Sequence, residues 1–503
     1  MREIVMLAIL DGWGVGKKDE GNPLYMAKKP ALSFIEENFP CGALQASGTS
    51  VGLPWENASS SEVGHLVMGA GKVIYQNYPK ISLSIRDGSF FENAALVDLV
   101  SRAKGSSALH LVGTLSDRAV RSAKEHLFAI VELAGKIGVK RIFAHIILDG
   151  RKNNSPASSE KLLAELQGKL SKANGAFSTI SGAYYGMNEA GEPKNASLFL
   201  GALTGNASAP MFRGIQELLA AARARGPKDE LFPPSALEGG EPIKPGDAVL
   251  FFNFEGDGLK PAAEALMKTE GVSVGTLTDY GLKTAIAFPK DDVRYPLGRV
   301  LADSGKSQMR IAESERYRSL TFYFNGEREE PFQNEYRAMI PSKHTLSPAE
   351  HPEMMAETVT ERALMTLRER GFDFVALNYA NPDVIASTGS YAATKRMAEI
   401  VDGEIGKLLS AALQENHTLI VVGSHGNAEM LLDVETGEPD TRTNPNPVPF
   451  YLVKSSLRKA SPEKREKLPS IGLLSDVAPT ILELMNIKKP EEMTGESLLG
   501  ELQ

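Results

Sequence analysis

Ile4-Val5-Met6-Leu7-Ala8-Ile9-Leu10-Asp11-Gly12-Trp13-Gly14 begins with an unbroken apolar run and then turns polar at an acid and a glycine. A half-buried strand would alternate apolar and polar residues. A continuous run of this length, closed by turn formers, reads as a strand buried on both faces. In open α/β sheets, ligands collect beyond the carboxyl ends of the strands. Asp11 is therefore the first residue with a claim to chemistry.

The same signal recurs along the chain. Residues 109–115, 141–148, 248–254, 374–380, 418–422 and 449–453 are similar apolar or β-branched runs. Such runs fit parallel strands covered on both sides. Amphipathic stretches lie between them. Met397, Ile400, Val401, Ile405, Leu408 and Ala412 recur at helical spacing, as do Met355, Val359 and Ala363. The alternation predicts an α/β chain with doubly wound sheets. The polar groups just past each run are Ser116-Asp117, Asp149-Gly150-Arg151, Asn253, the stretch from Asn378 to Asp383, and Ser424-His425-Gly426-Asn427.

With 503 residues the chain exceeds what one hydrophobic core supports, so two domains are expected. A 42% hydrophobic and 23% charged composition is that of a globular protein. The formal charge of −8, without blocks of like charge, argues against nucleic-acid and anionic-membrane partners. Cys41 is the single cysteine, which excludes an internal disulfide. The opening apolar run is too short for a signal-peptide core, and no stretch has the length of a membrane span. A cytoplasmic protein without membrane insertion is expected.

Asp11, Ser61, Asp383 and His425 form the candidate reactive group, with Glu62 beside Ser61. Asp and His are ligands for Mn²⁺ or Zn²⁺, and a serine hydroxyl needs a metal or a base to become a nucleophile. Helix capping by the aspartates and a packed histidine explain the same residue types without any chemistry. A Ser61-His425-Asp11 triad is the weaker alternative. Ser61 stands in Ser59-Ser60-Ser61-Glu62-Val63-Gly64-His65 and lacks the Gly-x-Ser-x-Gly elbow.

Several segments, in order, resemble the cofactor-independent phosphoglycerate mutases of the alkaline phosphatase superfamily. They are Ile9-Leu10-Asp11-Gly12-Trp13-Gly14, Ser61-Glu62-Val63-Gly64-His65-Leu66, Leu148-Asp149-Gly150-Arg151, Leu377-Asn378-Tyr379-Ala380-Asn381-Pro382-Asp383, His425-Gly426-Asn427, Asn446-Pro447-Val448-Pro449 and Met493-Thr494-Gly495-Glu496-Ser497-Leu498. The resemblance implies a phosphatase-like domain from residues 1–75 and 290–503, holding two metals and the nucleophile Ser61. It implies an inserted transferase-like substrate domain at residues 78–287.

The resemblance also shows departures. Of one metal site, Asp11, Ser61 and His425 remain, but the second aspartate is Ser424. Of the other, Asp383 remains, while the two histidines are Ser387 and Thr443. On the substrate side Arg151 is kept, and Arg316 stands for a lysine. A histidine is replaced by Arg121, an aspartate by Lys152, and arginines by Ala183, Glu189, Glu255 and Gly258. Transition-metal sites usually take three or more protein ligands, and a phosphate needs convergent cations. The main expectation is therefore a pseudoenzyme with a binding or structural role and a protein partner. No cofactor is expected, with Mn or Zn present only if the partial site of Asp11, Ser61, Asp383 and His425 still binds. The alternatives are an active metal-dependent mutase interconverting 2- and 3-phosphoglycerate, or a single-metal phosphoryl-handling enzyme using Ser61.

Overall fold

The computed structural model describes residues 3–55, 57–117, 120–149, 156–187, 192–206, 209–225, 228–343, 347–432, 437–463 and 467–502. The chain divides into two compact units, Met1–Tyr75 with Asp291–Gln503, and Gln76–Lys290. Each unit holds an eight-stranded sheet. The fold is α/β, with the two sheets both of mixed strand direction.

In the first unit the strand order is Glu335–Ile340, Gln308–Glu313, Phe374–Tyr379, Val5–Leu10, Thr418–Gly423, Val448–Val453, Cys41–Gln45 and Ser470–Leu473. Every residue of Val5–Leu10 is buried, so the opening run is a central strand. It pairs in parallel with Phe374–Tyr379 and Thr418–Gly423, with Leu10 level with both Tyr379 and Gly423. One expectation needs correction. Val448–Val453 is antiparallel to both its neighbours, Thr418–Gly423 and Cys41–Gln45. An unbroken apolar run reports burial on both faces, and Val448–Val453 has that burial; it does not report direction. The long helix Tyr391–Glu415 lays Met397, Val401, Ile405, Leu408 and Ala412 into the core under this sheet, as their spacing predicts. Its Asp402 also accepts the backbone N–H groups of Ala31 (3.0 Å) and Leu32 (2.8 Å), capping the helix Pro30–Asn38.

In the second unit the order is Ala285–Phe288, Ser273–Thr278, Ala248–Phe251, Leu109–Leu115, Ile142–Leu148, Gly175–Gly182, Ser235–Leu237 and Met211–Phe212. The run at 248–254 stops as a strand at Phe251 because a side chain takes over the ladder. Asn253 Oδ1 accepts the Thr114 N–H (2.8 Å), where the backbone of a continuing strand would have bonded. Among the described residues no helix is long and apolar enough to cross a membrane.

His126, in the helix Lys124–Ile137, is fully buried against Tyr78 and Phe254, with Nε2 2.9 Å from Ser82 Oγ. Burial pushes its imidazole down to about 4 from 6.5. Protons therefore bind the unfolded chain more readily than the folded one. The stability held by neutral His126 is complete above pH 6.5 and is lost as pH falls toward 4, a change on the order of 3 kcal/mol. Urea unfolding of His126→Gln across that interval should show a flatter fall in midpoint for this unit. An unchanged slope would contradict the account.

Candidate functional site

Register builds the site. Because Val5–Leu10, Phe374–Tyr379 and Thr418–Gly423 end level, the residues after them emerge at one edge of the first sheet. These are Asp11, the turn and short helix carrying Asp383, and Ser424-His425. The adjacent strand Gln308–Glu313 ends at the same edge, with Ala312 level with Asn378, and delivers the helix Ser314–Arg318. Ser61 starts the helix Ser61–Ala70, whose first turn is capped by Ser60. Two glycines permit the close approach. Gly12 has φ +76°, and a Cβ there would lie 2.8 Å from the Asp383 backbone; one on Gly64 would lie 2.4 Å from the Ser424 carbonyl oxygen.

The centre is an ion-pair cluster. The Arg316 guanidinium spans the two carboxylates: Nε donates to Asp11 Oδ2 (2.6 Å), and a terminal nitrogen donates to Asp383 Oδ2. Asp11 is completely buried, and its Oδ2 also accepts the Ser61 hydroxyl (2.7 Å). Ser319 Oγ lies 3.0 Å from Ser61 Oγ. His425 bridges the same carboxylates from the other side, with Nε2 3.1 Å from Asp383 Oδ1 and Nδ1 3.4 Å from Asp11 Oδ1. Asn427 Nδ2 donates to Asp383 Oδ1 (2.7 Å).

Ser424 sits at the hub. Its hydroxyl donates to Asp11 Oδ1 and accepts from Gly12 N–H (3.2 Å) and His425 Nδ1 (2.8 Å). That is the full capacity of a serine hydroxyl. Burial opposes charge on His425, yet its bonds to Asp11 and Asp383 raise the imidazole to about 10. Burial would likewise raise Asp11, but the His425 bond and the charges of His425 and Arg316 hold its carboxyl far below the usual range. Asp383 is also held low, by His425 and Arg316 against burial. At neutral pH two anions and two cations balance in this cluster.

His65, next to Ser61 in sequence motif and space, has a different state. Burial pushes it down, and it is a neutral, satisfied core residue. Its Nδ1 donates to the Ser61 carbonyl (2.7 Å) and its Nε2 accepts from Asn378 Nδ2 (2.9 Å).

Asp11, Ser61, Arg316, Asp383 and His425 thus meet, but not as a triad: the Ser61 hydroxyl donates to Asp11 and not to His425. Ser387 is exposed, with Oγ 3.5 Å from Asn427 Nδ2, and Thr443 is half-buried. Among the described residues no group of three or more His, Cys, Asp or Glu is arranged to hold a metal ion. Ser319 carried no sequence signal, because a π-helical turn, Ser319–Tyr323, aims it at Ser61. Asn427 and Asn378 lay inside motifs already singled out, where a polar side chain following a buried strand was the available clue.

In the second unit, Leu109–Leu115 and Ile142–Leu148 end level, and Gly182 is level with Leu148. Arg121 follows the first strand and is buried in an ion pair with Asp149 (2.8 Å) after the second. Ala183 begins the short helix after Gly182, and Glu255 is exposed. A Cβ on Gly258 would lie 2.2 Å from the Met187 carbonyl oxygen. Arg151, Lys152 and Glu189 lie outside the described residues.

A fold of this kind with acids and a histidine gathered at the strand ends defines a class. Residues 3–489 match the model of the metalloenzyme superfamily. The chain is 38% identical to the 2,3-bisphosphoglycerate-independent phosphoglycerate mutase of Clostridioides difficile, over 99% of this chain and 100% of that protein. It is 37% identical to the enzyme of the same name from Thermomicrobium roseum, over 99% and 98%. A crystal structure of Leishmania mexicana phosphoglycerate mutase, at low cobalt concentration, is similar with a TM-score of 0.53 and 26% identity, covering 99% of this chain and 97% of that one. The chain belongs to the 2,3-bisphosphoglycerate-independent phosphoglycerate mutase family, within the metalloenzyme superfamily.

Removing Arg316 leaves two buried carboxylates facing each other with less compensation. Arg316→Met should cost about 3–5 kcal/mol in urea unfolding at pH 7. Adding Asp383→Asn should cost less than the sum of the single changes, with a coupling of about 0.5–3 kcal/mol. Additive losses would mean that the ion pair contributes nothing of its own.

Proposed function

We propose that this chain is a mutase-fold protein that has lost phosphoglycerate interconversion and serves a binding or structural role toward a protein partner. The observation that carries the reading is the Arg316 guanidinium bound to both Asp11 and Asp383. With protonated His425 it neutralises the two carboxylates that the family resemblance assigns to metals. The family's two divalent metals do not fit this residue set. The lone pairs they would need on Asp11 and Asp383 accept hydrogen bonds from Ser61, Ser424, Arg316, His425 and Asn427. Ser424 supplies a hydroxyl donor where a third carboxylate would be required.

The nucleophile is correspondingly idle. A serine hydroxyl gains reactivity from a base of suitable pKa or from a metal. The acceptor of the Ser61 proton is Asp11, whose carboxyl is held so low that it is a feeble base. The substrate side supports the same reading. Arg121 is committed to Asp149, Glu255 opposes an anion, and Gly258 has no room for a side chain without backbone movement.

A second reading, an active metal-dependent mutase, is favoured by one finding: identities of 37–38% extend over 98–99% of the chain to proteins named as mutases. A single-metal phosphoryl-handling enzyme using Asp11, Ser61 and His425 is the third. Phosphorus NMR of 3-phosphoglycerate incubated with the chain and Mn²⁺, alongside p-nitrophenyl phosphate hydrolysis, separates them. Neither reaction should exceed that of Ser61→Ala. Formation of 2-phosphoglycerate abolished by Ser61→Ala would establish the second reading, and ester hydrolysis alone the third.

A further inference from the structure

One acid close to the ion-pair cluster is not part of it. Glu429 is 2% exposed, and its carboxylate accepts three neutral N–H groups. Oε2 takes the backbone N–H of Gly14 (2.9 Å) and of Asn427 (3.0 Å), and Oε1 takes the Asn446 side-chain amide (3.0 Å). The donors come from three segments: the turn after Val5–Leu10, the loop after Thr418–Gly423, and the entry to Val448–Val453. A buried carboxylate keeps its place only while donors satisfy its lone pairs, so this acid ties the three segments to one another.

The seat is cut to the side chain. A Cβ on Gly14 would lie 2.4 Å from the Glu429 carboxylate, one on Gly426 2.7 Å from Oε1, and one on Gly16 2.8 Å from Cγ. Glycine at these positions lets the backbone close on the acid. Further bonds carry the constraint to the cluster. Ala428 donates its N–H to the Gly12 carbonyl (2.9 Å), and Gly426 and Asn444 form an antiparallel bridge. Asn427, whose backbone N–H is held by Glu429, donates its side-chain amide to Asp383 Oδ1 (2.7 Å). His425 Nε2 lies 3.1 Å from that same oxygen.

We propose that Glu429 is a positioning residue for the ion-pair cluster: by pinning Asn427 and the turn from Gly12 to Gly14, it fixes where Asp11 and Asp383 meet His425. It acts through Asn427 and the turn. Without it the Asn427 amide leaves Asp383 Oδ1, and His425 loses a fixed partner on that side. The role concerns the geometry of the cluster and holds whether or not mutase activity survives.

Heteronuclear NMR of isotope-labelled protein at pH 7 follows the ring N–H protons of His425. In the unmodified protein they should exchange slowly with water, because the ring is 1% exposed and bonded within the cluster. Glu429→Gln sets its amide against the Asn446 amide, donor facing donor, and Glu429→Leu removes every acceptor. Each change should speed His425 exchange about tenfold or more relative to the backbone amides of Leu7 and Val421, which report on the sheet as a whole. Asn446→Asp added to Glu429→Gln places an acceptor opposite the amide and should return most of the protection. Rapid exchange in the unmodified protein would contradict the cluster itself, and the proposal with it. The proposal alone is overturned if His425 exchange is unchanged in every folded variant, if it speeds only in step with Leu7 and Val421, or if the loss in Glu429→Gln is not recovered on adding Asn446→Asp.

Discussion

Asp11 is a carboxylate with no access to water at the end of a central strand, and the rest of the site is arranged around its charge. A buried carboxylate costs several kcal/mol unless cations and hydrogen-bond donors compensate it. In this chain the compensation comes from side chains. Arg316 and His425 bring the positive charge, Ser61 and Ser424 bring hydroxyl donors, and Asp383 brings the second negative charge that makes the cluster neutral. Divalent metals would need the same oxygen lone pairs. Side-chain cations and a divalent metal ion would therefore compete for one place.

The second unit likewise satisfies a buried charge with its own side chains. Arg121 is a cation at a strand end, yet its charge is consumed by Asp149 in a buried pair. Gly258 packs so closely on Met187 that an arginine there would require the backbone to move.

Much of this was legible in the sequence for identifiable reasons. The apolar runs marked the central strands because burial on both faces leaves no alternation, and the polar residues beyond them marked the sheet edge where Asp11, Asp383 and His425 gather. Strand direction was not legible: Val448–Val453 is as buried as its parallel counterparts and runs the other way. The strand Gln308–Glu313 escaped notice because Gln308, Arg310 and Glu313 interrupt its pattern, although all are buried. The role of Arg316 was only half legible. The family resemblance set it on the substrate side, while its placement between two carboxylates depends on the register of Gln308–Glu313 beside Phe374–Tyr379, which no local pattern encodes. Ser319 reaches Ser61 through a π-helical turn and Ser424 gains its hub position from Asp11 and Gly12, far away in sequence, so both are products of tertiary structure.

The claim that side-chain charges occupy the place of the metals is tested most directly by calorimetric titration of Mn²⁺ into the chelator-treated protein at pH 7. The account predicts no saturable binding in the micromolar range by the unmodified chain, and binding that emerges when Arg316→Ala is combined with Ser424→Asp. Micromolar binding of two Mn²⁺ ions by the unmodified chain, lost in Asp11→Asn and in Asp383→Asn, would contradict it.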